Sequence, residues 1–402
     1  MEKLIPRPEY IKKLKSFRDK DLIKIVTGIR RCGKSTLFDL FINDLIQSGV
    51  PESHILHLKF TSAETDSIKD AKGLYDEVIS KIKIEDNNKY YIFLDEIQEI
   101  EGWEKACNYL YEDKRIDLYL TGSNSHMLSS DLATYISGRY VEIKMMPLSF
   151  KEYCSVKPDK SPFDNYQDYV TNGSFPYSVQ FNDSQDIITY LEGIYSSVVI
   201  KDVAKRNKIS DIASLENVTR FVFDNIGNPL SATKISNTLK SHKQSVSVPT
   251  IENYLKALCS AFILYRAERY DIKGKEYLTG GYKYYVSDLG LRRTVLGNKP
   301  VDFGHVLENV VYLELIRRGY EVYVGKTRGA EVDFIAKDQN ENLTYFQVAY
   351  MLDSEETLKR ELAPLQEIND HNQKYLLSLD FAPEASYDGI KRINVLDWLL
   401  GK

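Results

Sequence analysis

Cysteine is scarce in this sequence: Cys32, Cys107, Cys154 and Cys259 are the four present among 402 residues, far apart, with no CxxC pair and no matching histidine spacing. A disulfide framework and a zinc site are not indicated, and the thiols are expected to be reduced packing residues. No stretch approaches the roughly 18 consecutive apolar residues of a bilayer span, and Met1 to Phe17 lacks the unbroken apolar core of a signal peptide. A cytoplasmic protein that avoids membranes is the expectation. Internal repeats are missing too. So is a strong net field: 53 Lys and Arg against 58 Asp and Glu leave a formal charge of -5, too little to gather a polyanion by bulk charge.

What is present is ordinary globular composition, 43% hydrophobic and 28% charged. The chain exceeds the roughly 250–300 residues at which a single core stops growing, so two or three domains are expected. Charge is uneven. From Ser231 to Arg293 eleven Lys and Arg face five Asp and Glu, a local excess that matters if these side chains share a face.

Periodicity divides the chain. Strand and helix alternate at first: Leu22 to Thr27 apolar, Ser35 to Ile46 helical, His54 to Phe60 alternating, Ala71 to Ile82 helical, Tyr90 to Leu94 apolar, Trp103 to Tyr111 helical, Asp117 to Thr121 apolar. Such alternation predicts a parallel sheet covered by helices. Ser155 to Gly173, around Pro158 and Pro162, reads as a loop. Three helices are then predicted at Leu215–Asn225, Ala232–Leu239 and Thr250–Phe262, with Ser231 as an N-cap and Pro249 in a first turn. A hairpin of Ile263–Ile272 and Tyr282–Val286 follows, which together outline a winged helix. Beyond Gly297 to Pro300 the pattern predicts a separate α/β unit: helix Gly304–Arg318, strands Tyr320–Gly325, Glu331–Ala336 and Thr344–Ala349, helix Glu355–Ile368 and strand Tyr375–Leu379, with Gly319 ending the first helix. The expected domains are 1–210, 211–297 and 298–402.

The most specific feature is Gly28-Ile29-Arg30-Arg31-Cys32-Gly33-Lys34-Ser35, the pattern G-x-x-x-x-G-K-[ST] between a strand and a helix. Its glycines let successive N–H groups face phosphate oxygens at the positive end of the helix. Lys34 would reach the β- and γ-phosphates and Ser35 would ligate Mg²⁺. Downstream, Tyr90 to Leu94 ends in Asp95-Glu96, a candidate Walker B element on a neighbouring strand: Asp95 for the metal, Glu96 to deprotonate water. Ser123 or Asn124 follows a third strand and either senses the nucleotide or merely forms a turn. Arg139 either stabilises γ-phosphate charge, commonly from a neighbouring subunit, or is a surface arginine.

This order, Gly28 to Ser35, Leu94-Asp95-Glu96, Leu120-Thr121-Gly122-Ser123, Gly138-Arg139 and Pro147-Leu148-Ser149-Phe150-Lys151-Glu152-Tyr153, resembles the prokaryotic AAA-type ATPases related to the archaeal ATPases. The resemblance implies a P-loop NTPase α/β fold with a helical lid, ATP and Mg²⁺ as cofactors, and a homo-oligomer. It implies Lys34, Ser35 and Thr36 in the phosphate loop with Gly28, Arg31, Cys32 and Gly33, Asp95 and Glu96 as Walker B, Ser123 as sensor, Arg139 as arginine finger, and Pro6-Arg7 against the adenine.

Two partners come into view. Lys240, His242, Lys243, Arg266, Arg269, Lys273 and Lys275 flank the third predicted helix and could meet duplex DNA without reading its sequence; the alternative is a lid or protein-docking domain. The C-terminal unit resembles the core of PD-(D/E)xK restriction-type nucleases, with Glu308 and Asp333 matching two positions. The third fails, since Gln347 and Ala349 stand where an acid and a lysine are required. The expectation is therefore an ATPase that moves attached domains, with DNA binding through the winged-helix and C-terminal domains and no nuclease activity. A nucleotide-dependent signalling or protein-interaction switch and an ATP-regulated metal nuclease are the alternatives.

Overall fold

The first apolar run becomes β1 (Ile23–Thr27), a strand buried at every position, because it lies inside a five-stranded sheet. The computed structural model describes residues 4–82, 88–125, 138–274, 276–297, 299–300, 302–327, 329–381 and 383–402. They fall into two compact units, Met1–Pro147 with Ser260–Phe262, and Leu148–Cys259 with Ile263–Lys402. The predicted boundaries at 210/211 and 297/298 do not coincide with this division.

In the first unit β1 is joined by β2 (Ile55–Lys59), β3 (Tyr90–Asp95), β4 (Ile116–Gly122) and β5 (Tyr140–Lys144). The order is β2-β3-β4-β1-β5, and every pairing is parallel. The carboxylate strand β3 is thus not the neighbour of β1 that the residue pattern predicts; β4 runs between them. Strand alternation explains the two covered faces. Ile92 and Leu94 of β3 and Leu118 and Leu120 of β4 pack with Leu74 and Val78 of α3 (Ala71–Lys81) and with Ala106, Cys107 and Leu110 of α4 (Trp103–Glu112). The residues between them point the other way. Phe93 and Tyr119 stack at 4.7 Å, and Phe38 and Phe41 of α2 (Lys34–Gln47) meet them edge-on or tilted at 5.0 and 5.4 Å. An additional helix, α1 (Pro8–Phe17), precedes the sheet.

The second unit corrects the loop expected at Ser155 to Gly173. Helix α6 (Pro162–Asn172) occupies most of it, and the last two residues of α5 (Phe150–Val156) overlap its start. Ser149 and Glu152 close a reciprocal cap on α5, and Ser161 caps α6 with Pro162 in its first turn, where a missing N–H removes no helical bond. Proline there marks a helix start, not a loop. Helix α7 (Ser184–Ser197) follows, then α8 (Ile212–Asp224), α9 (Ala232–Ser241) and α10 (Val248–Ser260). Ser231 accepts the Lys234 N–H at 3.1 Å as the N-cap of α9, and Pro249 lies in the first turn of α10.

The hairpin β6 (Leu264–Asp271) and β7 (Glu276–Val286) does not stand alone. After α11 (Leu289–Leu296) and α12 (Phe303–Arg317) come β8 (Glu321–Lys326), β9 (Glu331–Lys337) and β10 (Leu343–Ala349). Then follow α13 (Glu355–Gln366), β11 (Gln373–Ser378), β12 (Ala385–Tyr387), β13 (Ile390–Asn394) and α14 (Val395–Leu400). All eight strands form one sheet, β12-β13-β11-β10-β9-β8-β6-β7. Glu268 to Asp271 of β6 pair in parallel with Tyr323 to Lys326 of β8. An open strand edge leaves its N–H and C=O groups unpaired, and β8 satisfies those of β6. The separate third unit expected from the sequence is therefore continuous with the hairpin. Among the described residues no helix is long and apolar enough to cross a membrane.

Candidate nucleotide site

The loop from Gly28 to Lys34 leaves the C-terminal end of β1 and enters α2. Glycine is required at its start by a close approach: a Cβ on Gly28 would lie 2.0 Å from the Met145 carbonyl oxygen. Arg31 and Gly33 both take positive φ, 69° and 102°, so the chain turns tightly over the helix end. Gly33 is the N-cap of α2 and offers no side-chain cap. The first N–H groups of the helix are thus left to an anion, which suits a phosphate.

Lys34 is buried, 4% exposed. Its ammonium donates to the Gly28 carbonyl at 3.0 Å and to that of Ile29 at 3.4 Å, and lies 3.3 Å from Glu96 Oε1. This contact bridges the ends of β1 and β3 across the intervening β4. Glu96 takes left-handed backbone, φ 55° and ψ 48°, a conformation that costs a non-glycine residue about 1 kcal/mol. Gln98 donates its amide to the other oxygen, Oε2. Burial opposes both charges, yet the attraction between them prevails: Lys34 holds its proton above the ordinary ammonium range and Glu96 ionises below the ordinary carboxylate range. The stability that Glu96 contributes is present above the ordinary carboxylate range and lost as pH falls through its lowered value. That of Lys34 is present below the ordinary lysine range and lost as pH rises through its raised one. The pair is therefore charged throughout neutral pH.

Asp95 ends β3, 3% exposed, and its Oδ1 accepts the Thr121 hydroxyl. The same Thr121 oxygen accepts the Glu96 N–H at 2.8 Å. One side chain on β4 thereby orients both acids. The sequence places Thr121 in the run Leu120–Ser123 but gives it no role, since a hydroxyl at a strand end is common; only the insertion of β4 beside β3 reveals its contacts. Gln98, two residues beyond Glu96, escapes a reading of the sequence for another reason: an amide in a short turn carries no signal of the partner it takes. Ser35 lies in the first turn of α2, so a hydroxyl and a carboxylate, the hard oxygen donors that Mg²⁺ takes, belong to the two chain ends that Lys34 and Glu96 join. Thr36 is half-buried on α2.

Other expected residues are placed differently. Ser123 and Asn124 are buried, 0% and 1% exposed, just past the end of β4 and so between the loop strand and the acid strand. Cys32 contributes backbone only: its thiol is fully buried 3.6 Å from the Met145 carbonyl, and burial pushes its pKa up. Arg7 is buried beneath the loop, donating to the carbonyls of Cys32 at 3.1 Å and Met146 at 2.7 Å with Tyr10 stacked on it. It braces the loop backbone. Arg139 is not brought to the loop. Its carbonyl accepts the Ile23 N–H at 2.8 Å, at the start of β1, a five-residue strand or about 16 Å away from Gly28. Asn108 and Glu112, each at 2.9 Å, and the Tyr111 ring hold its guanidinium against α4.

Residues 20–154 match the AAA domain, and residues 163–302 match a domain of unknown function. An uncharacterized protein of Haemophilus influenzae is 42% identical over 401 residues, 99% of each chain. An uncharacterized protein of Methanocaldococcus jannaschii is 29% identical over 85% of this chain and 77% of its own. Among solved structures, the Walker-type ATPase of Pyrococcus abyssi aligns with a TM-score of 0.48 at 15% identity, over 72% of this chain and 95% of that one.

Proposed function

We propose that this chain, which belongs to the family of the Haemophilus influenzae protein and carries an AAA domain, binds ATP with Mg²⁺ at the Gly28–Ser35 loop, hydrolyses it, and uses the change of nucleotide to move attached domains, with DNA as partner. The observation that carries the reading is the Lys34–Glu96 contact, which joins the phosphate loop to the acid strand. A carboxylate 3.3 Å from an ammonium is a poor base. When phosphate draws Lys34 away, Glu96 regains proton affinity and can accept a proton from water. The loop N–H groups and Lys34 would hold the phosphates, while Ser123 or Asn124 reports the γ-phosphate. Ser35 and Asp95 would hold Mg²⁺, which supplies charge neutralisation on the phosphates. Arg139 acts only from a second copy of the chain in this reading, which calls for a homo-oligomer.

Thr121→Val tests the orientation of the acids. It should raise the Mg²⁺ concentration for half-maximal nucleotide binding about tenfold, as loss of a partner behind a metal ligand does. A calorimetric Mg²⁺ titration measures this, and an unchanged midpoint removes the role.

The DNA reading rests on exposure. Lys234, Lys240, His242 and Lys243 are exposed on α9 and the turn after it, and Glu252, Asn253 and Lys256 form the exposed face of α10. Arg266, by contrast, is paired with Glu268 and stacked on Tyr282, and Lys275 lies outside the described residues. These groups suit phosphates better than bases. Lys240→Glu with Lys243→Glu should weaken duplex binding for all sequences and lower the salt slope by about one for each phosphate left without its cation. DNA should also stimulate turnover several-fold. Absence of stimulation, with no salt-dependent binding, favours the protein-directed switch. The inclusion of β6 in the eight-stranded sheet favours that second reading, because a hairpin paired to β8 is not a free wing.

A further inference from the structure

The second unit contains a buried charge cluster that nucleotide chemistry does not use. Lys283, on β7, has a side chain 3% exposed, and its ammonium lies 2.9 Å from Glu308 Oε1 on α12 and 2.8 Å from Glu331 Oε1 on β9. Tyr285, two residues along β7 and so on the same face, donates its hydroxyl to the same Glu308 oxygen at 2.6 Å. Asp333, two residues along β9 from Glu331, completes the group, with its Oδ2 accepting the Val348 N–H at 2.8 Å. Burial and the Glu308 charge push the Asp333 pKa well up, against the pull of Lys283. Lys283 itself is raised, since the three carboxylates outweigh its burial.

Glu308 is buried, whereas Glu331 is 36% exposed at its side chain; acids gathered on one face repel one another, and the buried one in particular favours a cation beside it. Gln347, at the position where an acid was expected, uses its amide otherwise: its oxygen accepts the Asp333 N–H at 3.3 Å and its nitrogen donates to Glu361 at 3.1 Å. The cation comes instead from the hairpin. We infer that Lys283 is the resident cation of this site: its ammonium is paired with both Glu308 and Glu331, beside Asp333 on the same face of β9, and takes the place that a divalent ion would occupy. The site then takes up no metal and cleaves no phosphodiester. It fastens β7 to α12 and β9, so the segments 211–297 and 298–402 form one body.

The consequence is that removing the ammonium alone should create a metal site. In the full-length chain without nucleotide, Mn²⁺ uptake is read from the paramagnetic resonance of the free ion. Wild type and Asp333→Asn should bind equally, any shared uptake belonging to the nucleotide site. Lys283→Met should gain one further Mn²⁺ per chain and melt at a higher temperature with Mn²⁺ than without, and adding Asp333→Asn should remove both gains. Lower uptake in Asp333→Asn than in wild type overturns the inference, as does a folded Lys283→Met that gains no ion. If Lys283→Met does not fold, the wild-type and Asp333→Asn pair decides alone, equal uptake supporting the inference and unequal uptake ending it. Mn²⁺-dependent plasmid cleavage that Asp333→Asn abolishes would likewise end it.

Discussion

Lys34→Ala should weaken ATP binding by about thirtyfold or more, since truncating one partner of a buried, hydrogen-bonded charge pair between protein and ligand costs about 2–5 kcal/mol and each 1.4 kcal/mol is a factor of ten. Two effects combine. The variant removes the cation that would face the phosphates, and it leaves Glu96, 13% exposed at its side chain, without the charge that now stabilises it. Calorimetric titration with a non-hydrolysable analogue measures the first. The second appears in melting curves against pH. In the wild type, stability should fall as pH drops through the lowered Glu96 value, because protonation removes its attraction to Lys34. In Lys34→Ala that acid-side loss should shrink. An unchanged affinity for the analogue would show that no phosphate reaches this lysine.

Glu96→Gln separates binding from chemistry. The amide matches the carboxylate in shape, and loss of the negative charge frees Lys34 for phosphate, so affinity should be kept or increased. Turnover should fall by about 10²–10⁴-fold, the usual contribution of a positioned base. Wild-type turnover should also decline on the acid side as Glu96 takes up a proton, and this arm of the profile should vanish in the variant. Full turnover in Glu96→Gln would transfer the role of base to another group.

The parts of the candidate nucleotide site are readable in the sequence because their geometry is local. Gly28 to Ser35 forms a loop from its own backbone geometry, and Asp95 and Glu96 lie where an apolar strand must end. Their partners are not readable in the same way. Thr121 meets Asp95 and Glu96 only because β4 inserts beside β3, and Arg7 reaches Met146 across 139 positions of sequence. The helices at 150–172 are hidden for another reason. Pro158 and Pro162 argue for a loop on composition, whereas Ser149 and Ser161 as caps argue for helix starts; the local signals conflict, and burial of Phe150, Tyr153, Tyr166 and Tyr169 decides between them.

Residue order alone specified the alternation of strands and helices, the phosphate loop and the acid pair, because hydrogen bonding and hydrophobic period act between residues close in the chain. Charge pairing in the interior was left to the tertiary fold. Lys24 interrupts the apolar run of β1 yet is fully buried, satisfied by Asp117 on β4. Lys283 belongs to a basic stretch that suggests DNA, yet it is enclosed by Glu308 and Glu331. A lysine's sequence neighbours do not reveal whether water or a carboxylate will surround its ammonium, because desolvation and its compensation are set by strands and helices that meet only in the folded chain.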